Sequence, residues 1–192
     1  MPEHNVLTDP DLHEPKGAST ATLNQSIYSS GNGSTFWSRP QGIGVYEDSR
    51  NTALTPTQSL NPSVSQNFVC NGLNLSQEYL PSDATESMWN VSTNKHIPIR
   101  VNDSYLIQVS FTARGYHSNS FLEIGLNVNG VSIYGDTLSL LGAGMKVIRS
   151  FEVFVDSTYM TNGATISLIY GGSGTCDLDS NKLLIRRTGR NG

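Results

Sequence analysis

Alternation of apolar and polar residues from Tyr105 onward restricts the fold of this chain more than any other feature. Three apolar faces stand out: Tyr105, Ile107, Val109 and Phe111; Leu122, Ile124, Leu126 and Val128; and Val147, Phe151, Val153 and Val155, with Arg149 in the same alternation. A period of two is that of a half-buried strand. No segment repeats apolar residues at helical spacing over two full turns. Successive strands without intervening helices predict an all-β protein, an antiparallel sandwich or jelly roll.

Further strands are predicted on either side of these faces. Asn129 and Gly130 form a favoured turn dipeptide that leads into a strand over 131–134. A last pair covers 164–170 and 182–187, and a first strand covers 44–47. The region 51–94 is less regular; we expect short strands within 52–60 and 67–75 and a loop over 78–87.

Residues 1–40 differ from the rest because their sparse apolar residues have neither helical nor strand periodicity. Pro10 and Pro15 favour extended backbone at themselves and at the preceding residues. We therefore divide the 192 residues into an extended arm over 1–40 and one β-domain over 41–192. The arm is either disordered or ordered on a partner surface.

Composition argues against several classes of protein. Charged residues make up 15% of the chain and the net charge is −4, so no overall basic field attracts nucleic acid. Arg186, Arg187 and Arg190 form one basic cluster, which we interpret as a solvated terminus. We expect no signal peptide, no membrane insertion and a soluble chain. Cys70 and Cys176 are expected to be free, buried thiols.

Several segments of the domain together resemble a tumour necrosis factor-like jelly roll of the kind used in phage structural proteins. They are the run from Ile97 to Tyr105, the hairpin Leu126-Asn127-Val128-Asn129-Gly130, the strand around Phe151 and the strand Leu183-Leu184-Ile185. The resemblance covers about residues 41–192.

The arm resembles a narrower group. Leu12-His13-Glu14-Pro15-Lys16-Gly17 is similar to the LHEPKG element of tailed-phage head fibre and capsid decoration proteins. The resemblance implies a homotrimer on the capsid exterior of a virion made in the host cytoplasm. Its arms would bind the major capsid protein and its jelly rolls would face solvent.

Jelly rolls of this class usually trimerise, and aromatic side chains bury large areas at low entropic cost. The candidate interface residues are Tyr105, Phe111, Tyr116, Phe151 and Tyr170. The same alternation also allows each of them to lie in the sandwich core instead.

The sequence contains no recognisable catalytic motif, phosphate-binding glycine loop or cofactor site, and we expect no metal. Asp177, Asp179 and Asn181 match the start of a calcium loop, but Lys182 stands where that loop needs glycine. An Asp-rich turn is the preferred interpretation. The acidic pairs Glu47 with Asp48 and Glu123 with Asp136 are interpreted as surface charges.

Three functions follow. The first is a non-enzymatic capsid decoration or head fibre protein. The second is a module that binds host-surface glycans through Tyr116, His117, Asn119 and Trp89, although Trp89 also suits buried packing. The third is a polysaccharide depolymerase, for which the sequence shows no acidic cleft.

Overall fold

The computed structural model describes residues 26–29, 35–38, 42–48, 56–81, 84–114, 120–140 and 143–189. These residues form fourteen strands and one short helix. The strands are β1 (Ser26–Ser29), β2 (Thr35–Ser38), β3 (Ile43–Asp48), β4 (Gln58–Leu60), β5 (Ser65–Asn67), β6 (Leu75–Tyr79), β7 (Trp89–Asn90), β8 (Lys95–His96), β9 (Ser104–Arg114), β10 (Ser120–Val128), β11 (Val131–Leu140), β12 (Ala143–Phe154), β13 (Ala164–Gly171) and β14 (Cys176–Gly189). The helix is α1 (Ser157–Asn162).

Two antiparallel sheets of six strands each form a β-sandwich. The first sheet has the order β12-β9-β14-β3-β6, and β4 pairs with β14 beside β3. The second sheet has the order β11-β10-β13-β8-β7, and β5 pairs with β13 beside β8. The predicted all-β antiparallel sandwich is confirmed.

The core lies between the sheets and is formed by the faces that the alternation predicts. The predicted apolar face of β9 is at most 2% exposed, and that of β10, from Leu122 to Val128, is at most 6% exposed. Val147, Phe151, Val153 and Val155 are buried as well, while Arg149 is half-buried at the sandwich edge. The inward side of these three strands therefore follows from their sequence alone.

Several boundaries differ from the prediction. β11 continues to Leu140 and β14 begins at Cys176, so both strands are longer than expected. In the middle region β4, β5, β7 and β8 have only two or three residues each. These short segments are strands because they pair with β14, β13 or each other, and their own sequences show no strand period.

The short helix α1 connects β12 to β13. Its six residues make less than two turns, below the length at which helical periodicity is visible in a sequence. Asp156 caps the first turn, since its Oδ1 accepts a hydrogen bond from Tyr159 N at 2.7 Å. Gly163 ends the helix with a φ of 65°.

A hairpin occupies part of the predicted arm. β1 and β2 pair antiparallel, with Ser26 opposite Ser38 and Ser29 opposite Thr35. The sequence of residues 1–40, which lacks strand periodicity, did not indicate this pairing.

The chain enters and leaves the sandwich at the same end, which we call the terminal end. Arg187 N donates a hydrogen bond to Gly42 O at 2.9 Å, and Gly189 is paired with Ser104 at the start of β9. Phe154, at the end of β12, also pairs with Ser104. Arg114 and Cys176 lie at the opposite, distal end.

Candidate interaction surface

Four of the five candidate interface aromatics lie inside the sandwich of a single chain. Tyr105 and Tyr170 are 0% exposed, Phe111 is 2% exposed and Phe151 is 6% exposed. The alternative assignment, to the sandwich core, therefore holds for these four, and they offer no surface to a neighbouring subunit. Tyr116 lies outside the described residues.

The motif from Leu12 to Gly17 also lies outside the described residues, as do Tyr116, His117 and Asn119 of the glycan hypothesis. The fourth glycan candidate, Trp89, is 1% exposed. Its Nε1 donates a hydrogen bond to Cys70 O at 2.8 Å. Trp89 is therefore a structural residue, and no sugar can stack on its ring.

The buried histidine of the domain is structural rather than catalytic. His96 is 0% exposed, and its Nδ1 lies 2.7 Å from the Tyr159 hydroxyl. Burial lowers the pKa of His96 to about 3, because the charged imidazolium loses its hydration. The ring packs edge-on against Tyr105 and Tyr159. His96 is therefore neutral near pH 7.

The acidic segment from Asp177 to Asn181 lies within strand β14, not in the turn that the sequence predicts. The strand bulges here, and Ser180 has a φ of 54°. Asp177 accepts a hydrogen bond from Ser59, and Asp179 accepts one from Arg114 at 2.6 Å. In the part of the chain that the structure describes, no group of three or more His, Cys, Asp or Glu residues is placed to hold a metal ion.

Two of the remaining acids have basic partners, and Glu123 is exposed, as expected of a surface charge. Glu47 pairs with Lys182, and Asp136 pairs with Arg149 at 2.7 Å. Asp48, by contrast, is 5% exposed, so its interpretation as a surface charge is wrong. Its carboxylate accepts hydrogen bonds from the backbone nitrogens of Asn71 and Leu73, and it thereby fixes the loop before β6.

Both thiols are free and buried, as the sequence predicts. Burial raises the pKa of Cys70 to about 12 and that of Cys176 to about 11, because desolvation disfavours the thiolate. Neither side chain is a nucleophile in the folded protein.

A buried ion pair at the terminal end is missed by the sequence interpretation. Arg187 and Asp103 are each 1% exposed, and Arg187 Nη2 donates to Asp103 Oδ1 at 2.6 Å. The Tyr105 hydroxyl donates to Asp103 Oδ2 and accepts a hydrogen bond from Ile99 N. Arg187 is therefore a structural residue and not part of a solvated terminus.

The side of the sandwich formed by β11 and β12 exposes a group of large apolar side chains. Both strands are edges of their sheets. The rings of Tyr134 and Phe151 lie 6.4 Å apart across the seam between the sheets. Four of these residues form what we call the lateral patch: Val131, Ile133, Tyr134 and Phe154, which are 65%, 42%, 47% and 56% exposed.

The lateral patch borders a cavity of about 550 Å³ at the terminal end. Val128, Val131, Phe154 and Tyr159 are among its lining residues. A second cavity of about 520 Å³ shares Tyr134, Val153 and Phe154 with the first. The seam between β11 and β12 is therefore open and largely apolar, a form typical of protein interaction sites.

The opposite side of the sandwich exposes a second apolar group. Its edge strands are β6 and β7. Three residues in and just before β6 form what we call the β6 patch: Leu73, Leu75 and Tyr79, which are 81%, 37% and 47% exposed. Glu78, between them, points into the domain and binds Met88 N and the Tyr46 hydroxyl.

Among the described residues, no helix is long and apolar enough to cross a membrane. The described part of the domain exposes two groups of apolar side chains, the lateral patch and the β6 patch.

Comparisons with known proteins identify a solved structure with a similar fold. The sequence matches no protein-family model and no curated protein. Among solved structures, the chain is similar to the PRD1 vertex protein P5, with a TM-score of 0.52 and 9% identity over 88% of this chain and 84% of that one. This similarity shows a shared fold.

Two other solved structures are more distant. The infectious bursal disease virus VP2 subviral particle has a TM-score of 0.31 and 10% identity, covering 84% of this chain and 64% of that one. Latent PorU from Porphyromonas gingivalis has a TM-score of 0.33 and 15% identity, covering 88% of this chain and 15% of that one. Scores this low do not establish a common fold.

Proposed function

We propose that this chain is a non-enzymatic structural protein of a tailed-phage virion, a homotrimeric capsid decoration or head fibre protein. Its arm, residues 1–40, attaches to the lattice of the major capsid protein through the element from Leu12 to Gly17. Its β-sandwich stands on the capsid exterior and stabilises or decorates the head. The observation that carries this proposal is the combination of a vertex-protein fold with an LHEPKG arm in one chain.

The interior of the sandwich supports a structural role. His96, both thiols and the acidic residues of β14 are all engaged in packing or hydrogen bonds. The exposed surface of the domain includes two apolar patches on its edges. Such surfaces suit assembly with other protein subunits.

The position of the arm supports attachment from one end. The chain enters the domain at Gly42, beside Arg187, so the preceding segment departs from the terminal end. In a trimer, three arms from one end bind one surface together, and their effective concentration multiplies a modest affinity of each arm.

Capsid binding by full-length and altered proteins tests the proposal. Capsids of the parent phage that lack this protein are mixed with purified protein, and bound copies are counted after sedimentation. We expect wild-type protein to bind and a variant without residues 1–40 to remain unbound. Circular dichroism and mass measurement check that the shortened domain is still folded and trimeric.

Two matched triple variants localise the contact within the arm. Leu12→Ala, His13→Ala and Glu14→Ala together should reduce occupancy at least tenfold. Ser19→Ala, Thr20→Ala and Thr22→Ala, the same number of changes in the same arm, should leave it unchanged. Full occupancy by the protein without residues 1–40 would refute attachment through the arm.

A further inference from the structure

The two exposed apolar patches lie on opposite edges of the sandwich, and this placement suggests how copies of the chain contact each other. We infer that the lateral patch of one copy packs against the β6 patch of the next copy in a head-to-tail contact. This inference rests on the proposed homo-oligomer and specifies the surfaces that form it.

The lateral patch belongs to an edge strand that has few of the usual protections of a sheet edge. β11 has ten residues, and every residue from Val131 to Thr137 is exposed. Edge strands of monomeric proteins are usually blocked by lysine, proline or bulged backbone. β11 contains no lysine, arginine or proline, and its one charged residue, Asp136, pairs with Arg149. Its bulge lies at Ile133, opposite Leu126 and Asn127, and the register from Tyr134 to Leu140 is regular.

The β6 patch offers a second surface of similar character. β6 ends the first sheet, since β3 is its one strand partner among the described residues. Leu73 is 81% exposed because its backbone, not its side chain, is held by Asp48. Tyr79 is 47% exposed.

The two patches supply part of the apolar area that an interface needs. A covered aromatic side chain buries about 150–250 Å², so half-exposed Tyr134, Phe154 and Tyr79 offer roughly 100 Å² each. With the aliphatic residues, the lateral patch offers about 300 Å² and the β6 patch about 230 Å². Together they supply about half of the apolar area of a standard interface of about 1,600 Å². Neighbouring polar groups along both edges complete the contact.

The choice of a head-to-tail contact follows from there being two patches. Pairing of two lateral patches around a twofold axis would leave both β6 patches exposed to water. A head-to-tail contact covers both patches on every copy when the assembly closes into a ring. The two edges are separated by the width of a five-strand path, roughly 19 Å at about 4.8 Å per strand spacing. One copy can therefore contact two neighbours at once, as a ring of copies requires.

Mixing two complementary variants of the full chain tests this arrangement. One carries Val131→Glu and Ile133→Glu in the lateral patch, and the other carries Leu73→Glu and Leu75→Glu in the β6 patch. All four side chains are exposed, so both variants should fold, which circular dichroism verifies. Val64→Glu, at a side chain 48% exposed outside both patches, is the matched control.

Mass measurement by light scattering gives the result. We expect wild-type protein and the Val64→Glu control to be trimers and each double variant to be a monomer. An equimolar mixture of the two double variants should form a dimer, because one intact lateral patch meets one intact β6 patch.

Other outcomes separate the inference from the proposed function. Trimers formed by both double variants would refute the contact while leaving the trimeric virion protein in place. Association by the β6 variant alone would show a twofold contact between lateral patches and would also refute the inference. A monomeric wild-type chain that associates once residues 1–40 are removed would show that its own arm covers the patches, and the proposed trimer would then fail as well.

Discussion

Loss of the buried charge pair at the terminal end should destabilise the domain more than any exposed substitution. Asp103 and Arg187 are each 1% exposed and are joined at 2.6 Å. Arg187 also donates its backbone nitrogen to Gly42 where the chain enters the sandwich. Asp103→Asn removes the negative charge and keeps the size of the side chain, so the buried guanidinium loses the carboxylate to which its Nη2 donates.

The magnitude follows from the cost of breaking a buried ion pair. Removing one partner of a buried ion pair costs about 3–5 kcal/mol. A domain of this size is stable by about 5–15 kcal/mol in total. Because each kcal/mol shifts the Tm of such a domain by about 2–4 °C, Asp103→Asn should lower the Tm by roughly 10 °C.

Denaturant unfolding, monitored by circular dichroism, measures the effect. All proteins are compared at one concentration, because association changes the apparent stability. Asp136→Asn is the matched control, since Asp136 pairs with Arg149 at 2.7 Å but is 54% exposed. An exposed pair contributes about 0–1 kcal/mol. If Asp103→Asn costs no more than Asp136→Asn, the buried pair does not stabilise the fold as argued.

Two further predictions concern the terminal end. His96 has a pKa of about 3 in the fold and 6.5 as an ordinary value, so below about pH 6 the unfolded chain binds a proton that the folded chain does not. Through this residue, the free energy of unfolding should therefore fall by about 1.4 kcal/mol per pH unit from about pH 6 to pH 4. In urea unfolding, the free energy of unfolding of His96→Gln should depend less steeply on pH over this range. Equal pH dependence of the two proteins would contradict the argument. Gly163 has a φ of 65°, and an added Cβ would lie 2.6 Å from His96 O. Gly163→Ala should cost about 3 kcal/mol, whereas Gly130→Ala, with a φ of 79° and no atom within 4 Å of the added carbon, should cost about 1 kcal/mol. Equal losses in thermal unfolding would show that the contact with His96 contributes nothing.

The long strands could be predicted because burial follows the period of two within each strand. Tyr105, Phe111, Leu122 and Phe151 all lie on the buried faces that their alternation indicates. Alternation does not say whether such a face meets the second sheet or another subunit. The structure shows that these aromatic side chains face the second sheet, because the two sheets pack against each other over them.

The short strands and the edges could not be predicted in the same way. Three residues such as Gln58–Leu60 show no period, and they become a strand because β14 lies beside them. The sequence of β11 alternates like that of a half-buried strand, yet its position at the sheet edge exposes seven successive residues, from Val131 to Thr137.

The buried polar contacts were missed because their partners are distant in sequence. Asp103 and Arg187 are separated by 84 positions and meet through the register of β9 with β14. The sequence places Asp48 beside Glu47 as a surface acid, but in the structure the backbone of the loop before β6 donates hydrogen bonds to the Asp48 carboxylate. Such contacts depend on which distant segments the fold brings together, and the sequence of either segment alone does not indicate them.

The location of both chain exits at the terminal end has a practical consequence for peptide display on a particle. A peptide fused after Gly189 would start beside Gly42 and crowd the attachment segment. The turn that includes Ser173, Gly174 and Thr175 joins β13 to β14 at the distal end, and all three residues are exposed. An epitope inserted there would project into solvent from the far side of the domain and leave the attachment segment unobstructed.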